Sequence, residues 1–263
     1  QVDFGDGLAG DLYYPRELPP DGRRLPAVIW LHGYGYMTGY QWAYRSELNP
    51  ILALVDRGYA VFAFEMNGFG SRILESKDFY RRYPHWSRMG NMVEDTRAAI
   101  DLLETVDIVD PERISLLGYS LGATVGVYAA ALDDRVHGIV SICGFTPMRS
   151  DTPDKGTEGI QRYSHLHGLI PRLGFFIGQE SRIPADFPEM LARIAPRPAL
   201  VMAPELDRDA TFADVKAAVE QARRIYSLHG EPENLVLYSP LDYNRFSAAS
   251  QQWVLDWMES QKN

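Results

Sequence analysis

Six short runs of β-branched, aromatic and other apolar residues recur along the chain, and they constrain its fold more than any other feature. They cover residues 26–32, 59–64, 114–118, 138–143, 199–202 and 234–238. Because most of these runs are continuously apolar, they predict strands of a parallel sheet that is covered on both faces. Stretches with helical periodicity separate them, at residues 46–56, 92–106, 121–132, 213–228 and 248–260. The pattern predicts a single α/β domain over residues 1–263 with a doubly wound, mostly parallel sheet, to which residues 8–14 add an edge strand.

Charge and composition exclude several kinds of partner. The net charge of −9 repels a nucleic-acid backbone, so no nucleic-acid partner is expected. No apolar run approaches the roughly 20 residues of a membrane span, so we expect no membrane insertion. The chain begins at Gln1 rather than Met, which favours a secreted or periplasmic protein and leaves a cytoplasmic location open. Composition leaves the oligomeric state open.

Two long segments interrupt the alternation of strands and helices, and each follows a predicted strand. Residues 145–197 carry Gly, Pro, His and aromatic residues without a clear strand, so we predict a cap-like insertion there. Residues 65–90 are also long for a connection between elements. Because open α/β sheets bind ligands beyond the carboxyl ends of their strands, both insertions are expected to overhang the functional site.

The sequence Gly118-Tyr119-Ser120-Leu121-Gly122 lies between a predicted strand and a predicted helix. A sharp turn at that place holds a serine in a strained backbone conformation, and the tight packing requires glycine two positions to either side. The helix that follows directs its first N–H groups and its positive dipole end to the same point. The motif therefore predicts that Ser120 is a nucleophile.

A His-Gly turn follows the strand at residues 26–32 and leaves backbone N–H groups available for a developing oxyanion. The N–H groups of Tyr34 and Leu121 are the expected pair of donors. We expect the side chain of His32 to brace this loop rather than to transfer protons.

These motifs resemble those of the α/β-hydrolase superfamily, particularly its dienelactone-hydrolase and acetyl-xylan-esterase-like branch. The resemblance extends over nearly the whole chain. In that family the acid of the catalytic triad follows the next-to-last strand in a turn such as Gly-x-x-Asp. Here Pro204-Glu-Leu-Asp207 occupies that place with proline for glycine, so the resemblance implies that Asp207 is the acid, with Asp209 as the alternative.

The chain departs from the family at the catalytic base. The family places a histidine in the loop after the last strand, in a setting like Pro-x-x-x-His-x-Phe, and this chain has Asn244 there. An amide cannot accept a proton at neutral pH. Three explanations stay open: a base from an insertion, a natural relative with weak or altered chemistry, or an inactivating His-to-Asn substitution. The candidates for a base from an insertion are His165, His167 and His85.

The insertions also carry aromatic and arginine side chains that are candidates for substrate binding, namely Tyr36, Trp86 and Arg149. Aromatic faces stack on sugar rings, and arginine holds carboxylates in a bidentate manner. The sequence thus predicts a serine hydrolase that cleaves a carboxylic ester, on a small molecule or an acylated or acidic carbohydrate. The alternative is a weak or inactive relative that binds such a ligand in the same cleft. No cofactor is expected, and no metal, because no histidine pair is accompanied by a carboxylate cluster.

Overall fold

The computed structural model describes residues 1–45, 48–157 and 159–262. Eight strands form a single sheet in the order β1-β2-β4-β3-β5-β6-β7-β8. Strand β2 is antiparallel to β1 and β4, and every other neighbouring pair is parallel. The strands are β1 Val2–Phe4, β2 Leu8–Tyr13, β3 Leu25–Leu31, β4 Ala60–Phe64, β5 Val109–Tyr119, β6 Val136–Ile142, β7 Ala199–Met202 and β8 Leu235–Tyr238. The doubly wound, mostly parallel sheet predicted from the sequence is confirmed.

The sheet is buried on both faces, as continuous apolar strands require. Successive side chains of a strand point to opposite faces, so Ile29 and Leu31 pack in one hydrophobic cluster while Val28 and Trp30 pack in another. Helices α1 and α7 cover the second face, and α3 to α6 cover the first. The helices are α1 Pro50–Val55, α2 Phe79–Arg82, α3 Arg88–Glu104, α4 Leu121–Leu132, α5 Phe187–Ile194, α6 Phe212–Leu228 and α7 Ala248–Ser260.

Some boundaries differ from the sequence prediction. Helix α1 begins at Pro50, with the Asn49 side chain accepting hydrogen bonds from two N–H groups of its first turn. The prediction started this helix at residue 46, and residues 46 and 47 lie outside the described residues. Helix α3 begins at Arg88 instead of residue 92, because the Ser87 hydroxyl caps its first turn. Helix α5 was not expected; Asp186 and Glu189 form a reciprocal capping box at its start.

The two insertions lie together at the carboxyl edge of the sheet. Residues 145–197 join β6 to β7 through short 3-10 turns, one π-helical turn and α5, with no strand among the residues of this segment that the structure describes. The segment after β4 packs against it: the Met89 N–H donates to the Leu169 carbonyl, and the Tyr80 hydroxyl donates to the Gly168 carbonyl. Across the described ranges, no helix has both the length and the apolar character that a membrane span needs.

Candidate active site

Ser120 lies at the turn between β5 and α4 with φ 51° and ψ −117°. This left-handed conformation is strained for a residue other than glycine, and the Ser120 N–H donates to the Ile142 carbonyl at 2.8 Å. The two flanking glycines permit the turn. A Cβ atom on Gly118 would lie 2.3 Å from the Gly122 carbonyl oxygen, and one on Gly122 would lie 2.1 Å from the Leu31 carbonyl oxygen. The structure thus provides a strand–serine–helix elbow at the centre of the sheet.

The loop after β3 lies directly beside this elbow. A Cβ atom on Gly33 would lie 3.3 Å from the Ser120 Cβ atom, so no larger side chain separates the loop from the serine. The backbone N–H groups of Tyr34 and Leu121 donate to no backbone acceptor within the described residues. Leu121 is the first residue of α4, where N–H groups lack a partner inside the helix. Both groups remain available to an oxyanion.

The buried His32 side chain braces the loop. Its Nε2 atom accepts a hydrogen bond from the Met66 N–H at 3.2 Å, which places the ring proton on Nδ1, 2.7 Å from the Gly33 carbonyl oxygen. Burial lowers the pKa of His32 to about 4, so the ring is neutral at neutral pH. The bracing role expected from the sequence agrees with these contacts.

Glu65 lies beneath the same loop at the end of β4. Its carboxylate accepts a hydrogen bond from the Tyr40 N–H at 3.2 Å and lies 3.6 Å from His32 Nε2. Burial raises the pKa of Glu65 to about 7. The two buried titratable groups are therefore uncharged together between pH 4 and 7.

Asn244 is fixed by three hydrogen bonds. Its Nδ2 donates to both oxygens of Asp207, at 3.1 and 3.0 Å, and its Oδ1 accepts from the Tyr119 hydroxyl at 3.1 Å. A longer contact of 3.4 Å joins Nδ2 to Asp209. Burial raises the pKa of Asp207, although the Asp209 N–H and the Asn244 amide oppose the shift. The structure thus joins Asp207 to residue 244, as the sequence predicted, and the amide is held between an acceptor and a donor.

A cavity of about 550 Å³ opens beside Ser120. Cys143 also lines it, but burial raises the pKa of that thiol well above its ordinary value, so it carries no nucleophilic thiolate. Arg162 forms an ion pair with Asp209 at 2.9 Å across the cavity. The cavity is lined by the site residues Ser120, Leu121, Thr124 and Asn244, by Tyr34 and Tyr36 of the β3 loop, by 143–146, by Arg162, Tyr163, Leu166, His167 and Leu169 of the cap, and by Asp209 and Ala210.

The candidate bases differ in where they lie. His167 lines the cavity, and its ring centroid is 4.4 Å from that of Tyr34. His165, another candidate from the sequence, is not among the residues that line this cavity. Its Nδ1 is 2.7 Å from the Ser164 hydroxyl, and its ring lies over Gly174. The π-helical turn at 162–166 turns position 165 away from the cavity. His85 is exposed and does not line the cavity.

Two of the three predicted substrate-binding residues also lie elsewhere. Tyr36 lines the cavity and is 64% exposed. Trp86 packs near Phe79 and lines an apolar groove along α3 instead, because the chain at 83–87 turns into that helix. The Arg149 guanidinium binds the Ile183 carbonyl and Glu189, 2.8 and 2.5 Å away, and so ties the cap together. Neither Trp86 nor Arg149 is therefore among the residues that line the cavity beside Ser120.

Sequence reasoning placed Arg162 in a loop expected to overhang Ser120 but assigned no role to Tyr119. Tyr119 directly follows the first glycine of the elbow motif, so its position next to the site was available from the sequence, but its bond to Asn244 was not. Among the described residues, no three His, Cys, Asp or Glu side chains cluster closely enough to hold a metal ion.

A serine at a strained strand–helix elbow, a His-Gly loop beside it and a carboxylate after the next-to-last parallel strand are typical of the hydrolase class of α/β proteins. The chain belongs to the alpha/beta hydrolase family, whose model matches residues 28–261.

Individual relatives are more distant. The predicted hydrolase YtaP of Bacillus subtilis is 27% identical over 220 residues, covering 78% of this chain and 68% of YtaP. The lasso peptide isopeptidase AtxE2 of Asticcacaulis excentricus is 35% identical over 118 residues, covering 41% of this chain but 16% of its own length. A glucuronoyl esterase of carbohydrate esterase family 15 from Teredinibacter turnerae superposes with a TM-score of 0.76 at 15% identity, covering 97% of this chain and 70% of that one. The last comparison supports the fold.

Proposed function

We propose that this protein hydrolyses carboxylic esters with Ser120 as the nucleophile. The observation that carries the proposal is the left-handed backbone of Ser120 at the start of α4, which exposes its hydroxyl at a cavity of about 550 Å³. Such strain persists only where the surrounding structure enforces it, and it is concentrated at functional sites. The close backbone packing at Gly118 and Gly122 permits this strain, and the hydrogen bond from the Ser120 N–H to the Ile142 carbonyl helps to hold it.

The reaction would proceed in two halves. Ser120 Oγ attacks the ester carbonyl carbon, and the N–H groups of Tyr34 and Leu121 stabilise the negative charge on the carbonyl oxygen. The tetrahedral intermediate expels the alcohol and leaves an acyl-enzyme, which water then hydrolyses. Asp207 is the acid of the site in this proposal, and it orients the side chain at position 244.

We propose further that the substrate is an acylated or acidic carbohydrate. The cavity walls include the aromatic side chains of Tyr34, Tyr36 and Tyr163, which suit the faces of sugar rings. Arg162 supplies a guanidinium at the same cavity, suited to a carboxylate. The fold shared with a glucuronoyl esterase is compatible with this choice.

One observation favours a second candidate, a protein that binds the ligand without cleaving it. The Asn244 amide has its nitrogen on Asp207 and its oxygen on Tyr119, so the usual place of the base is filled by a group that takes no proton. In this alternative the cavity retains the ligand, and the elbow is inherited from catalytic relatives.

Hydrolysis of a small chromogenic acetate ester distinguishes the two candidates. For an esterase, the purified chain releases the chromophore, and Ser120→Ala abolishes the release while leaving the unfolding temperature near that of the parent. Mass spectrometry after acid quenching should detect an acyl group on the peptide that contains Ser120. A parent chain that does not hydrolyse the ester but still binds acetylated oligosaccharides in calorimetry would favour the binding candidate and refute the esterase proposal.

A further inference from the structure

We propose that His167 of the cap is the catalytic base, in place of the histidine that the family has at position 244. The proposal rests on the proposed function, because a base is needed only if Ser120 attacks a substrate. Its starting point is that His167 is the histidine found in the lining of the cavity that contains Ser120.

The backbone around His167 is held firmly by the other insertion. Three consecutive carbonyl groups, at residues 167–169, each accept a hydrogen bond from the segment around the start of α3. The donors are Arg88 Nη1 at 3.1 Å, the Tyr80 hydroxyl, and the Met89 N–H at 3.1 Å. Arg88 also donates to the Asn67 carbonyl at 3.0 Å, which connects this clamp to the end of β4. Side chains that act on a reacting atom need such support, because small displacements are costly in rate.

Local backbone geometry then presents the ring to the cavity. The π-helical turn at 162–166 closes with the His167 N–H donating to the Arg162 carbonyl at 3.0 Å, and Gly168 follows with φ 54°. Turns of the π type are rare and occur frequently at functional sites. The turn directs His165 over Gly174 and His167 to the cavity. Of these two histidines, the fold therefore directs His167 to the site.

The ring of His167 is also close to the oxyanion loop. It lies 4.4 Å from the ring of Tyr34, centroid to centroid, with an interplanar angle of 38°. Tyr34 is the residue whose backbone N–H is proposed to bind the oxyanion, and its neighbour Gly33 borders the Ser120 Cβ atom. The cap thus brings an imidazole to the same loop that lies against the serine.

In the proposed reaction, His167 transfers protons as the base of a serine esterase does. A neutral nitrogen of His167 takes the proton of Ser120 Oγ as the Oγ–carbon bond forms, and the carbonyl π electrons move to the oxygen. The imidazolium then gives that proton to the departing alkoxide as the ester carbon–oxygen bond breaks. In the second half, the same nitrogen takes a proton from water as the water oxygen bonds to the acyl carbon, and it returns that proton to Ser120 Oγ as the bond between Oγ and the acyl carbon breaks. Asn244 takes no proton in any step.

Four variants of the full chain test this assignment, with hydrolysis of an acetate ester and labelling of Ser120 by an alkyl phosphonate as readouts. His167→Asn should lower kcat by about 10⁴-fold or more, the usual cost of losing one member of a catalytic triad, while KM changes little. His165→Asn is the matched control and should retain the kcat of the parent, because that ring lies outside the cavity. The double variant His167→Asn, Asn244→His should regain part of the lost kcat, and recovery also shows that the chain with His167→Asn is folded.

Each contrary result has a distinct meaning. Parent-like kcat in His167→Asn, or an equal loss in His165→Asn, overturns the assignment of the base. So does a rise of orders of magnitude in kcat when Asn244→His is introduced alone, because the parent would then lack a working base. A parent chain that neither hydrolyses the ester nor reacts with the phosphonate refutes the proposed function itself, and with it the assignment.

Discussion

Gly122 lies where the first turn of α4 meets the end of β3, and replacing it by alanine should damage catalysis far more than stability. The added Cβ atom would lie 2.1 Å from the Leu31 carbonyl oxygen, 2.4 Å from the Leu31 carbonyl carbon and 2.6 Å from the His32 carbonyl oxygen. These are backbone atoms of a buried strand end, so they cannot rotate aside as a side chain does. The start of α4 must instead move away from β3 by about 1.3 Å to restore ordinary contact.

That displacement separates the two proposed oxyanion donors, because the N–H of Leu121 moves with the helix while the N–H of Tyr34 stays with the loop. A misplacement of about 1 Å costs roughly 100-fold in rate, and loss of one oxyanion donor costs about 10²–10³-fold in kcat. Stability changes less. Overpacking costs about 1–3 kcal/mol, and alanine recovers up to about 1 kcal/mol through its better helix propensity. We therefore expect a loss in kcat of at least about 100-fold with a fall in Tm below about 10 °C.

Gly126→Ala is the matched control, one helical turn further along α4. Its Cβ atom would meet the ends of two flexible side chains, Ile139 Cδ1 at 2.9 Å and Leu31 Cδ1 at 3.4 Å. These side chains can adjust, so kcat should stay near that of the parent. Both variants are assayed for ester hydrolysis and thermal unfolding. Parent-like kcat in Gly122→Ala, or an equal loss in Gly126→Ala, would refute the argument from the helix displacement.

Three further predictions concern side chains around the site. Asp207→Asn should lower kcat for the acetate ester more than Asp209→Asn, because Asp207 receives both short bonds from Asn244; the reverse ranking would transfer the role of the acid to Asp209. The pKa of Glu65 is raised from its ordinary value of 4.5 to about 7 in the folded chain. The parent therefore loses stability as the pH rises from 4.5 through 7, because over this range the folded chain holds a proton that the unfolded chain releases. In urea unfolding, the free energy of unfolding of Glu65→Gln should therefore exceed that of the parent by up to about 3 kcal/mol at pH 8 and equal it at pH 4. A difference between the two chains that does not depend on pH would contradict this. Tyr119→Phe removes the hydrogen bond to Asn244 Oδ1 and should lower the free energy of unfolding by about 1 kcal/mol, whereas an unchanged value would show that this bond contributes nothing.

The sequence predicted the parts of the site that belong to repetitive structure. Helix α4 has the predicted bounds, because the glycine-flanked Ser120 starts it and its apolar residues continue to Leu132. The resemblance to the α/β-hydrolase family implied that Asp207 and residue 244 lie together, and they do so because they follow neighbouring parallel strands, β7 and β8, whose carboxyl ends share one edge of the sheet. A local pattern was enough for the helix, and the family's motif order was needed for this pair.

The cap could not be predicted to the same degree. Whether His165 or His167 faces the cavity depends on a π-helical turn. These residues are two positions apart, so a different type of turn would change which of them faces the cavity. Arg149 was assigned to the substrate because arginine suits carboxylates, but the carboxylate it meets is that of Glu189, on a helix that the sequence analysis did not anticipate. In irregular segments, the direction of a side chain is set by distant contacts that no short pattern reveals.

The glycine contacts that hold α4 against β3 also distinguish two parts of the site, the sheet edge that carries Ser120 and the loops that form the cavity walls. The serine and both proposed oxyanion donors lie shortly after the carboxyl ends of β5 and β3, which are neighbours in a buried sheet. The aromatic and arginine walls come mainly from loops that only rest on this edge. Substitutions, insertions and deletions in those loops that leave His167 in place can therefore remodel the ligand preference while the reacting groups keep their spacing. Exchanging the segment between β6 and β7 with that of a relative should transfer selectivity only if the exchanged segment retains His167, the proposed base.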